Sequence, residues 1–250
     1  MDRVAFYNAL RASKLFAGKL TAGQVRGMEG ILDGFAAVGD GRDKTLAYGL
    51  ATARREVGAG MLPVREGFKA TDAAACAYVK RQGYAYAASV GGRVYYGRGY
   101  VQLTWHKNYA ACSADAGVDL VANPDAALDP AIGGRLIFLG LLDGRWNARG
   151  KGITHYLPTV GDDDLKNARR TVNLTDHWVV VAGYYHVFLD AIRQAGGWKA
   201  AAPQPSGQAA PLPPAPLPPS GEDAARLAWI EEGRRLHAAL GDWLDRAPMP

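Results

Sequence analysis

Two glutamates ten residues apart, Glu56 and Glu66, stand in the stretch RREVGAGMLPVREG at 54–67. A pair of carboxylates can share acid–base work, one giving a proton to a leaving group while the other takes one from water. Spacing alone leaves a plain alternative, a helix-terminal glutamate and a loop glutamate beside Arg65 as ordinary solvated charges. Helical geometry sharpens the choice. With Leu46 as origin and ~100° per residue, the apolar stripe Leu46, Leu50, Ala53, Val57 leaves Glu56 ~90° from its centre, where core meets solvent. Partial desolvation there suits a general acid. Gly58 and Gly60 then discourage the helix and Pro63 stops it. Glu66 is therefore expected on a returning segment, able to face Glu56 across a cleft. A continuous helix would hold the two ~15 Å apart along its axis.

Thirty residues on, YYGRGYVQLTWHKNY (95–109) has little reason to exist as a core segment. Tyr95, Tyr96, Gln102, Thr104 and Asn108 supply hydroxyls and amides, and Trp105 an aromatic face. Neutral donors and acceptors interleaved with rings match the hydroxyls, N-acetyl amides and apolar faces of pyranoses. Gly97 and Gly99 permit close backbone approach.

These segments resemble glycoside hydrolase family 19, the chitinases and related phage endolysins. Three blocks carry the resemblance in family order: LAYGLATARREVGAGMLPVREG, YYGRGYVQLTWHKNY, and NARRTVNLTDH at 167–177. They lie within residues 20–195. The short glutamate separation leans toward the compact endolysin branch. The resemblance implies a lysozyme-like, bilobal helical domain with a substrate cleft. It implies Glu56 as general acid, Glu66 as base, Thr104 as an aid in placing the water, and Tyr96, Gln102, Asn108 and Asn173 as sugar ligands. Family 19 enzymes invert, so the carboxyls are expected about 6.5–9.5 Å apart. Arg55 stands where the family has histidine, Val57 where it has threonine, Leu174 where it has glycine, and His177 where a basic arginine is common. The implied substrate is a β-1,4 glycan, peptidoglycan by preference and chitin as the alternative. A lytic transglycosylase and a non-catalytic wall-binding or phage structural protein remain further options.

The elements that must position these residues read as mainly helical. Thr21 to Gln24 forms a capping-box pattern before Val25, Met28, Leu32 and Phe35. Helices are expected over about 44–57 and 71–82, and residues 91–105 as loop with a minor extended part. Asp129-Pro130 is an N-cap followed by Pro at the first helical position. Thr175 is read as the cap of a last helix burying Trp178, Val181, Tyr185, Phe188 and Ile192. The domain plan is a catalytic domain at 1–200, a Pro-rich linker at 201–221, and an amphipathic C-terminal helix at 222–250. The linker is expected to be an extended spacer. The helix carries Trp229, Leu236, Leu240 and Trp243 on one face, to dock on this chain, on a second copy or on a partner.

Composition sets outer bounds. Hydrophobic residues make up 48%, which suits a globular core, and the net charge is +5 with a pI near 9.2, which favours polyanions in general. No run reaches the ~18 apolar residues of a membrane span. The first residues lack a secretory signal pattern; the resemblance implies synthesis in a (host) cytoplasm and action at the wall after release. Cys76 and Cys112 read as reduced thiols. His155, His177 and His186 lack zinc-enzyme spacing, so no metal or other cofactor is expected. Asp162-Asp163-Asp164 reads as a solvated loop before a helix, and Lys166, Arg169 and Arg170 as a solvated helix face. Gly92 to Gly97 does not fit a nucleotide fingerprint, and no nucleic-acid partner is expected. A monomer is expected.

Overall fold

The structure, a computed structural model, describes residues 1–147 and 149–199. The linker and terminal helix expected at 201–221 and 222–250 lie outside the described residues. The described part is mainly α. Its longer helices are α1 (Arg3–Ala12), α2 (Ala22–Val38), α3 (Asp43–Glu56), α4 (Asp72–Arg81), α5 (His106–Ala116) and α6 (Pro130–Asp143). Two single-turn helices follow, α7 (Ile153–Tyr156) and α8 (Leu165–Ala168), and then α9 (Trp178–Gln194). The extended part is one antiparallel pair, β1 (Val64–Arg65) on β2 (Arg98–Gly99), with Val64 opposite Gly99 and Arg65 opposite Arg98.

The local signals act as their chemistry requires. Thr21 and Gln24 close a capping box at the start of α2, and Asp129 caps α6 ahead of Pro130. After α3 the chain turns through Gly58, at φ +72°, and Met61, at φ +54°, and returns as β1. Two expectations need correction. The last helix begins at Trp178, with His177 rather than Thr175 at its N-cap position and no side-chain cap. The Asp176 carbonyl is held by Arg169 Nε at 3.0 Å and the Asp176 N–H by the Asn173 carbonyl, so 173–177 is retained as a turn. Trp178 is only half-buried, while Val181, Tyr185, Phe188 and Ile192 are buried as expected. The second correction concerns α3. Every residue from Thr45 to Ala53 is buried, so this helix is enclosed by α9, α2 and α6 rather than showing one apolar stripe.

Asp162 and Asp164 are exposed just ahead of α8, as expected of a solvated loop before a helix, while Asp163 is half-buried. Asp163 accepts from Lys44 Nζ at 2.7 Å and from the Tyr185 hydroxyl at 2.8 Å, and Asp164 caps α8. Among the described residues, no three His, Cys, Asp or Glu side chains are grouped to hold a metal ion, and no helix is long and apolar enough to cross a membrane. Cys76 and Cys112 are free thiols.

The core falls into one large and two smaller clusters. The large one joins α1, α2, α3, the C-terminal half of α6, and α9. The second packs α5 and the start of α6 against Tyr95 and Leu103; the third packs α4 against Val94 and Tyr96. Helices α2 and α6 meet backbone to backbone. A Cβ on Gly134 would drive into the Gly30 carbonyl, and one on Gly34 into the Gly134 backbone. Gly134→Ala is therefore expected to cost about 1–3 kcal/mol by overpacking, read as a lower denaturant midpoint with an unchanged slope.

Candidate active site

Glu56 ends α3 and its side chain is 17% exposed. Its Oε1 accepts from Arg169 Nη2 at 2.5 Å. Arg169 follows α8 directly and is 1% exposed. The expectation of a solvated Lys166–Arg170 face therefore fails for Arg169, which turns inward to meet Glu56 and the Asp176 carbonyl. A charge so deeply buried persists because the carboxylate pairs with it. The bond uses Oε1 and leaves Oε2 outside the ion pair. Arg55, at the place of the family histidine, reaches the Asp176 carboxylate at 3.8 Å. Asp176 is thus tied to the α3 end twice, through Arg55 directly and through Arg169.

Glu66 follows β1 immediately and is held from two sides. Its Oε1 accepts from the Tyr86 hydroxyl at 2.5 Å, its Oε2 from the Gly97 N–H at 2.8 Å, and its own N–H donates to the Gly97 carbonyl at 2.7 Å. Burial first, then the bond to Glu66, pushes the Tyr86 hydroxyl far up, so it stays a donor. An ionised carboxylate offers about four lone-pair positions. With two used, Glu66 retains capacity to accept from a water. Gly97 is required here: a Cβ would lie 2.7 Å from Gln102 Oε1 and 3.2 Å from Glu66 Oε2. Tyr86→Phe removes one donor and keeps the ring. It is expected to lower kcat about tenfold, as the loss of a hydrogen bond to a charged group, with little change in thermal midpoint.

The segment that delivers Gly97 is fixed by Arg98, 2% exposed. Its guanidinium donates to Asp72 Oδ1 at 2.6 Å and Asp125 Oδ1 at 2.8 Å, and lies 3.6 Å over the Tyr96 ring. Tyr96 belongs to this buried network: it is fully buried and its hydroxyl donates to Asp72 at 2.8 Å. That placement keeps Tyr96 out of solvent, where a sugar would have to meet it.

Gln102 donates to the Val64 and Gly99 carbonyls at 3.2 and 3.1 Å, and so clamps β1 just before Glu66. Asn108 donates to the Thr104 carbonyl at 2.8 Å. Gln102, Thr104 and Asn108 line one cavity of about 370 Å³ with Trp105, Lys107 and Trp146. Neither Glu56 nor Glu66 lines it. Asn173 is exposed on the 173–177 turn, its N–H on the Arg169 carbonyl at 2.9 Å. The structure thus brings Gln102, Thr104 and Asn108 to one cavity, which Val172, next to Asn173, also lines, while Glu56 pairs with Arg169.

Beside Glu66 runs an aromatic ledge that residue types alone did not reveal. Tyr84 and Tyr86 lie 5.1 Å apart by ring centroids, and Tyr86 and Trp105 5.5 Å. Tyr84 is 39% and Trp105 43% exposed, and such rings suit the apolar faces of sugars. The Tyr84-Ala-Tyr86 repeat was the available signal for it.

The family model described as chitinase class I, glycoside hydrolase 19, matches residues 5–138. The chain belongs to this family. The match includes both glutamates and the 95–109 segment and ends within α6, before Arg169 and Asn173. Endochitinase A2 of Pisum sativum is 52% identical over 42 residues, 16% of this chain and 13% of that protein. Endochitinase 1 of Theobroma cacao is 55% identical over 42 residues, with the same coverage. The family 19 chain thus matches these curated relatives over about an eighth of their length. Among solved structures, chitinase C from Streptomyces griseus HUT6037 aligns at a TM-score of 0.46 and 21% identity, over 79% of each chain.

Proposed function

We propose that this protein hydrolyses β-1,4 bonds between N-acetylated sugars by a two-glutamate inverting mechanism, with bacterial peptidoglycan as its substrate. The observation that carries the proposal is the separate anchoring of the two carboxylates. Glu56 is held through one oxygen by buried Arg169, and Glu66 through both oxygens by Tyr86 and Gly97. Glu56 Oε2 protonates the glycosidic oxygen as the C–O bond breaks. Glu66 takes a proton from water as its oxygen attacks the anomeric carbon from the opposite face. Thr104 helps to place that water, and Gln102, Asn108 and Asn173 bind sugar.

Peptidoglycan is favoured by charge. Arg145 at the cavity is neutralised by Asp143 and Asp115, but Lys107 carries its charge there with no ion pair among the described residues. Peptidoglycan offers carboxylates to such a cation, and chitin offers none. In this reading the protein works as a monomer, an endolysin released from a producing cytoplasm to the wall. Chitin is the second reading, favoured by the local identity to endochitinases. Mass spectrometry of products from purified sacculi and from chitin oligomers tests both. Reducing-end muropeptides with one added water per cut are expected. Faster cutting of chitin oligomers would transfer the assignment to chitin, and anhydro-sugar products would indicate a transglycosylase.

A further inference from the structure

Three deeply buried polar atoms have no hydrogen-bond partner within the protein: Tyr48 Oη, Thr52 Oγ1 and Arg169 Nη1. Tyr48 and Thr52 are 0% exposed and Arg169 is 1% exposed. The other side chains with such atoms, Arg3, Arg54, Arg65 and Arg135, belong to residues that are only half-buried. Buried polar groups are rarely left unmatched, so each of the three requires a partner.

Their placement is specific. Tyr48, Thr52 and Glu56 follow one another at intervals of four on α3, which puts them on one face with neighbours ~5–6 Å apart. Arg169 meets the end of that face through Nη2 on Glu56, and its Nε is engaged by the Asp176 carbonyl. Only the remaining prong, Nη1, is unmatched. The Tyr48 hydroxyl is raised chiefly by burial, with the Arg169 charge opposing and the Glu56 charge adding, so it senses both members of the pair. Thr52 makes no hydrogen bond back to its own helix, the usual outlet for a helical threonine.

From this geometry we infer a bound water enclosed between α3 and Arg169, through which Tyr48 and Thr52 act as positioning residues for Glu56. A buried water typically makes about three hydrogen bonds, and three groups are offered. It accepts from Arg169 Nη1 and from the Tyr48 hydroxyl, and donates to Thr52 Oγ1. Arg169 is then fixed through all three of its nitrogens, which holds Glu56 Oε1 and leaves Oε2 directed at the substrate. The kinetic role rests on the reading of Glu56 as the acid; the water site does not.

Two measurements test the inference. The first is a crystal structure at a resolution that shows ordered water. Density within hydrogen-bond distance of Tyr48 Oη and Arg169 Nη1 supports it, and a dry contact between them overturns it. The second compares Tyr48→Phe, Thr52→Val, their double variant and Thr52→Ser on one glycan, beside the wild type and Glu56→Gln. Since a misplacement of ~1 Å can cost 10²-fold, each single variant is expected to lose about tenfold in kcat, with KM within about twofold. The double variant should lose no more than the worse single, because both act through one water, and Thr52→Ser should recover most of the loss. Full kcat in both single variants, with Glu56→Gln inactive, overturns the positioning role, as do fully multiplicative losses. A wild type inactive on both sacculi and chitin would remove the proposed function instead, and the density would still decide the water site.

Discussion

Glu56→Gln is expected to cut turnover by ~10²–10⁴-fold on any glycan the protein accepts, the range lost with a general acid. Glutamine keeps the size of the side chain and an oxygen for Arg169 Nη2, so the pocket persists while the transferable proton is gone. KM should change little, because the lost interaction is made only as the glycosidic bond breaks. An aryl glycoside with a good leaving group needs no proton and should recover much of the loss in kcat. Such selective recovery separates a missing acid from a damaged fold, which would lower both substrates alike.

Arg169→Met carries the largest expected effect on stability. Arg169 is 1% exposed, and Glu56 beside it is 17% exposed. Removing the guanidinium leaves Glu56 without its ion partner and the Asp176 carbonyl without its donor. Breaking a buried pair from one side costs about 3–5 kcal/mol. For a chain of this size that lowers the thermal midpoint by roughly 10 °C. Combining Arg169→Met with Glu56→Gln removes the stranded charge and should restore part of the midpoint without restoring activity. Additive losses in the double variant would show that the two side chains do not act as a pair.

Much of the helical frame was legible because its signals are local. Thr21 with Gln24, and Asp129 with Pro130, fix helix starts through atoms within three residues. Gly58 and Pro63 set the reversal between Glu56 and Glu66 in the same way. What escaped depended on distant partners. Arg169 looks like a surface arginine until α3 supplies Glu56, 113 residues earlier in the chain. Thr175 has the right chemistry for a cap, but Arg169 holds the Asp176 carbonyl and moves the helix start to Trp178. Tyr96 has a sugar-binding residue type, yet the Arg98 guanidinium draws it into a buried network with Asp72. Periodicity predicted a single apolar stripe for α3, whereas its enclosure depends on α9, α2 and α6 surrounding it. The family resemblance located both carboxylates. Their anchoring by Arg169, Tyr86 and Gly97 emerged only from the fold.

Hydrolysis with inversion by Glu56 and Glu66 leaves a stereochemical signature. Proton NMR of the first reducing ends released from a β-1,4-linked N-acetylglucosamine oligomer, read before mutarotation, tests it most directly. The α-anomer is expected from the wild type, and negligible product from Glu56→Gln and Glu66→Gln. Initial release of the β-anomer, or of an anhydro sugar, would contradict it.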